Sequence, residues 1–140
     1  MDQGAEIRES KLHDIVHLGL RATVGAIFVY HGLGKFNSEG FLQALASWGL
    51  GPEIAIPVAL AESVGGILLI LGVLSRISAA ILAVDMLGAI FVVKKLKSFS
   101  GQGGWEFDVI LLASVLAIMI IGPGKVSISH LAKKIPRFLQ

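Results

Sequence analysis

Four apolar stretches, at about residues 12–36, 54–74, 77–93 and 105–121, take up most of this 140-residue chain. A helix rises 1.5 Å per residue and the hydrocarbon layer is about 30 Å thick, so one crossing needs about 20 residues and four need about 80. What remains suffices for tails, hairpins and one or two loops, and leaves no room for a second domain. Composition agrees: 54% of the residues are hydrophobic and 16% charged, where soluble domains run at about 45–50% and about 25%. The mean hydropathy is +0.79. The expected fold is all-α: an integral membrane four-helix bundle with a short interfacial helix between the first two spans. A polar N-terminal tail (1–17) precedes the four-span domain (18–124), and a basic amphipathic tail (125–140) follows it.

Local signals set the boundaries. The first seventeen residues mix acids and bases and lack the basic start of a cleaved signal peptide, so a retained tail is expected. Ser38 can cap a short helix on which Phe41, Leu42, Leu45 and Trp48 recur at helical spacing, with Trp48 at headgroup depth. Pro52 suits a helix start, and Pro57 suggests a kink. A tight turn at Ser75 and Arg76 joins spans two and three, and Gly122-Pro123-Gly124 stops span four. In the C-terminal tail, Ile128, Leu131 and Ile135 oppose Lys133 and Lys134, as on a short helix lying on the bilayer. Four spans put both termini on one side. Arg8, Lys11, Arg76, Lys125, Lys133, Lys134 and Arg137 lie there against Lys35, Lys94, Lys95 and Lys97 opposite, which predicts cytoplasmic termini in a multi-pass cell-membrane protein.

Several chemistries are excluded or disfavoured. With no cysteine, the chain has no disulfide, thiolate metal site or dithiol relay of its own. His13 and His17 sit near one surface and His130 in the tail, but spans two to four offer no histidine for an axial haem pair. No metal site, nucleophile elbow, P-loop or dinucleotide fingerprint is present, and a formal charge of +2 gives no indication of nucleic acid.

Ionisable residues within spans are costly when they face lipid, so they usually face a partner or a cavity. Arg21, His31, Lys35, Glu62 and Asp85 are of this kind. Counted from the outer surface, His31 lies about 7 Å down and Glu62 about 12 Å, with Lys35, Trp105 and Glu106 at the interface. His31, Lys35, Glu62 and Glu106 can therefore meet in the outer half, either as ties between helices or as a site for a polar headgroup, with Glu62 and His31 exchanging protons. Arg21 and Asp85 fall nearer the cytoplasmic half, where they can pair; alternatively Arg21 reaches the headgroups. Gly25, Gly32, Gly65, Gly66, Gly72, Ala79 and Ala83 read as close helix contacts, allowing a neighbour to approach Glu62.

The blocks RATVGAIFVYHGLGKF, ALAESVGGILLILGVLSR, GGWEFDVILLASVLAI and GPGKVSI, in this order, resemble the DoxX family of small four-helix membrane proteins over about Leu18 to Ile128. The resemblance implies a subunit that accompanies redox enzymes such as quinol oxidases or thiosulfate:quinone oxidoreductases. It also implies importance for His31 and Lys35 (HGxxK), Glu62 (before the double glycine), Arg76 (inner turn) and Glu106 (after GGW). The resulting expectation is an accessory subunit, not catalytic alone. It would anchor a partner in membrane lipid and help form a quinone site from His31, Lys35, Glu62, Trp105 and Glu106. The chain alone would bind no other cofactor, and a homo-oligomer is compatible. The alternatives are a non-catalytic assembly protein whose charges only pack helices, and a proton or small-solute transporter.

Overall fold

The computed structural model describes residues 10–132 and Pro136, and every regular element among them is helical. Residues 1–9 and most of the tail beyond Ala132, including Arg8, Lys133, Lys134, Ile135 and Arg137, lie outside the described residues.

Helix α1 (Lys11–Lys35) starts where the Ser10 hydroxyl accepts the His13 N–H at 3.2 Å, so residues 11–17 belong to the helix and not to a tail. Helix α2 (Glu39–Ser47) begins at Ser38, whose hydroxyl accepts the Phe41 N–H at 3.1 Å. A 3-10 turn at Pro52–Ile54 leads into α3 (Ala55–Leu71), with Pro57 in its first turn. The turn into α4 (Ser75–Gly88) lies at residues 72–74, earlier than the sequence suggested, and Ser75 and Arg76 are already helical. Gly72 explains the shift: it takes a left-handed conformation, and the next N–H, that of Val73, returns to the Leu68 carbonyl at 3.0 Å, ending α3 there. Past Gly88, α4 continues as a π-helical turn, Ala89–Val93. Helices α5 (Glu106–Ile121) and α6 (Ile128–Ala132) complete the chain.

Three segments, Lys11–Lys35, Pro52–Leu71 and Ser75–Val93, are long and apolar enough to cross a membrane. Helix α5 is as apolar but has 16 residues. Helices α1, α3, α4 and α5 share one core built around Phe28, Leu69, Leu82, Val115 and Ile118, all fully buried. Large apolar side chains such as Tyr30, Val84, Ile110 and Ile120 are exposed around the outside, an arrangement suited to lipid and costly in water.

The tightest packing joins α1 to α3, which run antiparallel. A Cβ added at Gly66 would lie 2.5 Å from the Gly25 carbonyl oxygen, and one at Gly32 would lie 2.5 Å from the Ser63 nitrogen. The backbones meet with no room for a methyl group, as small residues permit between membrane helices. Alanine normally favours a helix over glycine by about 0.5–1 kcal/mol, whereas overpacking costs about 1–3 kcal/mol. Gly66→Ala should therefore destabilise the protein by about 1–3 kcal/mol in detergent unfolding, given the cost of overpacking. Gly19→Ala, where nothing lies within 4 Å, should be neutral or slightly stabilising.

Candidate functional site

The antiparallel register of α1 and α3 brings Gly32 against Glu62, and Lys35, one turn on, reaches over to pair with the Glu62 carboxylate. Glu62 is almost completely buried, and the Lys35 side chain is 22% exposed. The Lys35 ammonium also lies 5.4 Å from the centre of the Phe41 ring, so α2 helps to hold it. From α4, Asp85 reaches the same place: it lines the same cavity as Lys35 and Glu62 and interacts electrostatically with both. A second ion pair stands beside the first: Lys94, just past the π-turn, pairs with Asp108 on α5 and donates to the Gly104 carbonyl at 2.8 Å. Asp85 lies in the field of Lys35 and of Asp108. Three carboxyl groups and two lysines, from four helical elements, thus gather at one end of the molecule.

All of these but Asp108 border a cavity of about 450 Å³. Lys35, Glu62, Asp85 and Lys94 supply its polar groups; the rest of the wall is largely apolar, including Phe41 and Leu45 of α2 and Trp48 just after it, with Val58 of α3 and Val92 of the π-turn. Small-molecule sites are of this kind, about 300–1,000 Å³ of mostly apolar wall with a few convergent polar groups. Val84, a wall residue, is exposed on the lipid-facing outside, which gives the cavity a side opening. Among the described residues no three His, Cys, Asp or Glu side chains are placed to hold a metal.

The residues singled out from sequence divide between this cluster and other places. Lys35 and Glu62 meet. His31 does not join them: its side chain is exposed and lies edge-on to Phe107, ring centres 6.2 Å apart, because Gly32 is the residue that faces α3 in that turn. Glu106 is also exposed and accepts a hydrogen bond from the Ser100 hydroxyl at 3.3 Å. Trp105 packs edge-on to Phe99 at 4.7 Å in the loop before α5, outside the cavity wall.

Arg21 and Asp85 do not pair. Arg21 is fully buried at the opposite end, donating to the Leu69 carbonyl at 3.4 Å and to the Val126 carbonyl. Those acceptors lie at the C-terminal end of α3 and in the segment after α5, so the guanidinium ties down the helix end where the dipole favours a cation. Arg76 lies against Gly122 at the end of α5. Asp85 stands at the middle of its apolar stretch, eight residues from Ile77 as from Val93, so depth alone does not assign it to either half. Counted from Val93 it is eight residues in, about 12 Å, the same depth as Glu62. Sequence reasoning also passed over Asp108, although successive helical residues turn by about 100°, so Glu106 and Asp108 must face nearly opposite ways and only one can face outward.

Together these features define a helical membrane protein with a buried charged cluster beside an apolar cavity. The chain belongs to the DoxX family, whose sequence pattern matches residues 16–95. A Bacillus subtilis (strain 168) protein named "Putative oxidoreductase CatD" is 37% identical over 114 residues, covering 81% of this chain and 84% of that relative. An uncharacterized membrane protein of Mycobacterium tuberculosis is 31% identical, with 82% and 80% covered, and an uncharacterized protein of Haemophilus influenzae is 31% identical, with 75% and 80% covered. No solved structure matches the chain.

Removing one partner of a buried ion pair typically costs about 3–5 kcal/mol, because the other charge is left uncompensated. Lys35 is partly exposed, so Lys35→Met should cost about 3 kcal/mol, the low end of that range. Adding Glu62→Gln should recover most of it, and a double-mutant cycle of unfolding in detergent micelles measures the difference.

Proposed function

We propose that this chain is a small subunit of a quinone-linked oxidoreductase in the cell membrane, anchoring a catalytic partner and offering a quinone site in the cavity beside Lys35, Glu62 and Asp85. The observation that carries this reading is the cavity itself: largely apolar, open at Val84 toward lipid, and polar only where the lysines and carboxyl groups converge. A quinone head needs an apolar slot with polar groups at its oxygens. Lys35 Nζ can donate a hydrogen bond to such an oxygen, and the carboxyl groups can exchange a proton with it. The oxidoreductase name of the Bacillus subtilis relative supports the redox setting. The chain has no cysteine and no histidine pair placed to ligate haem across the helices, so electrons would come from a flavin- or haem-carrying partner.

In this reading the bundle crosses the membrane four times, with α5 as the fourth span. Its 16 residues cover about 24 Å. A shortfall of that size is met by local bilayer thinning. Support comes from its reach: Asp108 meets Lys94 at one end and Gly122 meets Arg76 at the other. Helix α2 lies at the interface, with Trp48 edge-on to Phe41 at headgroup depth. The basic residues Lys11, Arg76 and Lys125 then lie on the cytoplasmic side, as do both termini.

Native purification in mild detergent, with mass spectrometry of co-purifying proteins and extracted lipids, tests the reading. A stoichiometric quinone together with a flavin or haem subunit is the expected result. In that complex Glu62→Gln should lower quinone turnover about 100-fold or more, the usual size of an acid–base contribution, with assembly intact. If no quinone is found and Glu62→Gln lowers only stability and partner recovery, the chain is an assembly protein. Ion or solute flux in proteoliposomes of the chain alone would make it a transporter.

A further inference from the structure

The sequence reading put Glu62 in the outer half and Asp85 nearer the other, but the fold brings three carboxyl groups, Glu62, Asp85 and Asp108, to two lysines. Each lysine is committed. Lys35 pairs with Glu62, and Lys94 pairs with Asp108 while also donating to the Gly104 carbonyl. Among the described residues Asp85 makes no ion pair. It lines the cavity with Glu62, and it interacts electrostatically with Glu62, Lys35 and Asp108. Beyond Lys35, Glu62, Asp85 and Lys94, no charged group among the described residues lines this wall: α2 lends it only apolar side chains, and His31 lies against Phe107.

An ionised carboxylate has no donor, so two acids sharing one mostly apolar wall can hydrogen-bond to one another only when one of them carries a proton. Two negative charges side by side in a poorly hydrated place are disfavoured for the same reason that paired catalytic acids share a proton. Lys35 is held on Glu62, so of the two acids Asp85 is the one with no ion pair to balance a charge, and the better place for a proton. Two lysines then face two carboxylates and one neutral acid, and the buried cluster has no net charge.

We propose that Glu62 and Asp85 form a single carboxyl pair that stores one proton at the cavity wall and hands it to an oxygen of the cavity's occupant, with Asp108 and Lys94 as its link to the loop surface. The transfer is acid–base. The O–H bond of Asp85 breaks, an O–H bond forms on the occupant's oxygen, and a carboxylate is left beside Glu62. A proton arriving from water at the partly exposed Lys94–Asp108 pair restores the acid. When the occupant is a quinone, as in the function proposed above, the flavin- or haem-carrying partner supplies the electrons and the pair supplies protons one at a time. The proposal rests on that reading for the identity of the occupant, but the stored proton belongs to this chain alone.

Infrared spectroscopy of the purified full chain in lipid nanodiscs tests it without quinone or partner. At neutral pH the wild-type protein should show the carbonyl band of a buried protonated carboxyl group, which shifts in heavy water. Asp85→Asn and Glu62→Gln should each abolish it, because the remaining acid then pairs with Lys35 as an ordinary carboxylate. Asp108→Asn should keep the band and slow its shift in heavy water. Absence of the band from the wild type overturns the proposal. So does its persistence in either single variant, which would mean one isolated acid or an acid elsewhere. If Asp85→Asn fails to fold, Asp85→Glu, which keeps the pair, should move the band, and an unmoved band is again a refutation. A band that behaves as expected in a protein that never yields quinone leaves the proton pair standing and removes only the quinone reading.

Discussion

The contact of α1 with α3 at Gly25, Gly32 and Gly66 determines where the chemistry can sit. At side-chain separation, Lys35 would have to stretch across a gap to reach Glu62. At backbone contact the two meet directly, and Glu62 is sealed from lipid and water together. Burial of that carboxylate is tolerable because its partner is in place, and the same burial makes any further carboxyl group beside it share a proton. The small residues therefore create the electrostatic problem that Lys35 only partly answers, since Asp85 joins the cluster without a cation of its own.

The two ends of the molecule handle buried charge in different ways. At the Lys35 end, cations meet carboxyl groups, and the cluster approaches neutrality only if it holds a proton. At the Arg21 end the guanidinium is fully buried against backbone carbonyls, and among the described residues no carboxylate is bonded to it. Carbonyls at a helix C-terminus carry a fixed partial charge that does not titrate, so these ties serve as structure. Carboxyl groups take up and release protons, whereas backbone carbonyls do not. That difference is the physical reason for locating chemistry at one end and anchoring at the other, and it bears equally on a subunit of a larger complex and on a free-standing protein.

Much of the helix layout was legible in the chain because it depends on local signals. The apolar stretches, the Ser38 cap and the glycines of the α1–α3 contact could each be read from hydropathy, turn chemistry or side-chain size. The site was only half legible. Lys35 and Glu62 follow from depth along their helices, but His31 and Glu106 have the right depth and the wrong face, and depth alone cannot choose between them. Asp85 is equally far from both ends of its apolar stretch, so no count along the chain assigns it to one half. Asp108 needed the rule that residues two apart on a helix face opposite ways. The cavity had no sequence signal, because α2 and the end of α4 form it by how they fold over α3.

That end of α4 explains why there is a cavity at all. Ala89–Val93 is wound as a π-turn, with the Lys94 N–H bonded back to the Ala89 carbonyl at 2.9 Å, so the helix widens where an α-helix would have pressed against its neighbours. Seven of the cavity's wall residues lie between Val84 and Lys94, on the last turns of α4 and the π-turn that follows. The wider turn also places Lys94, which follows it, where it meets Asp108 on α5. Winding the same residues as a regular α-helix would draw this wall tighter and turn Lys94 away from that position. Glu62 and Asp85 line the cavity that this stretch of chain helps to wall, and that shared wall is the structural ground for treating the cavity and the carboxyl pair as one site.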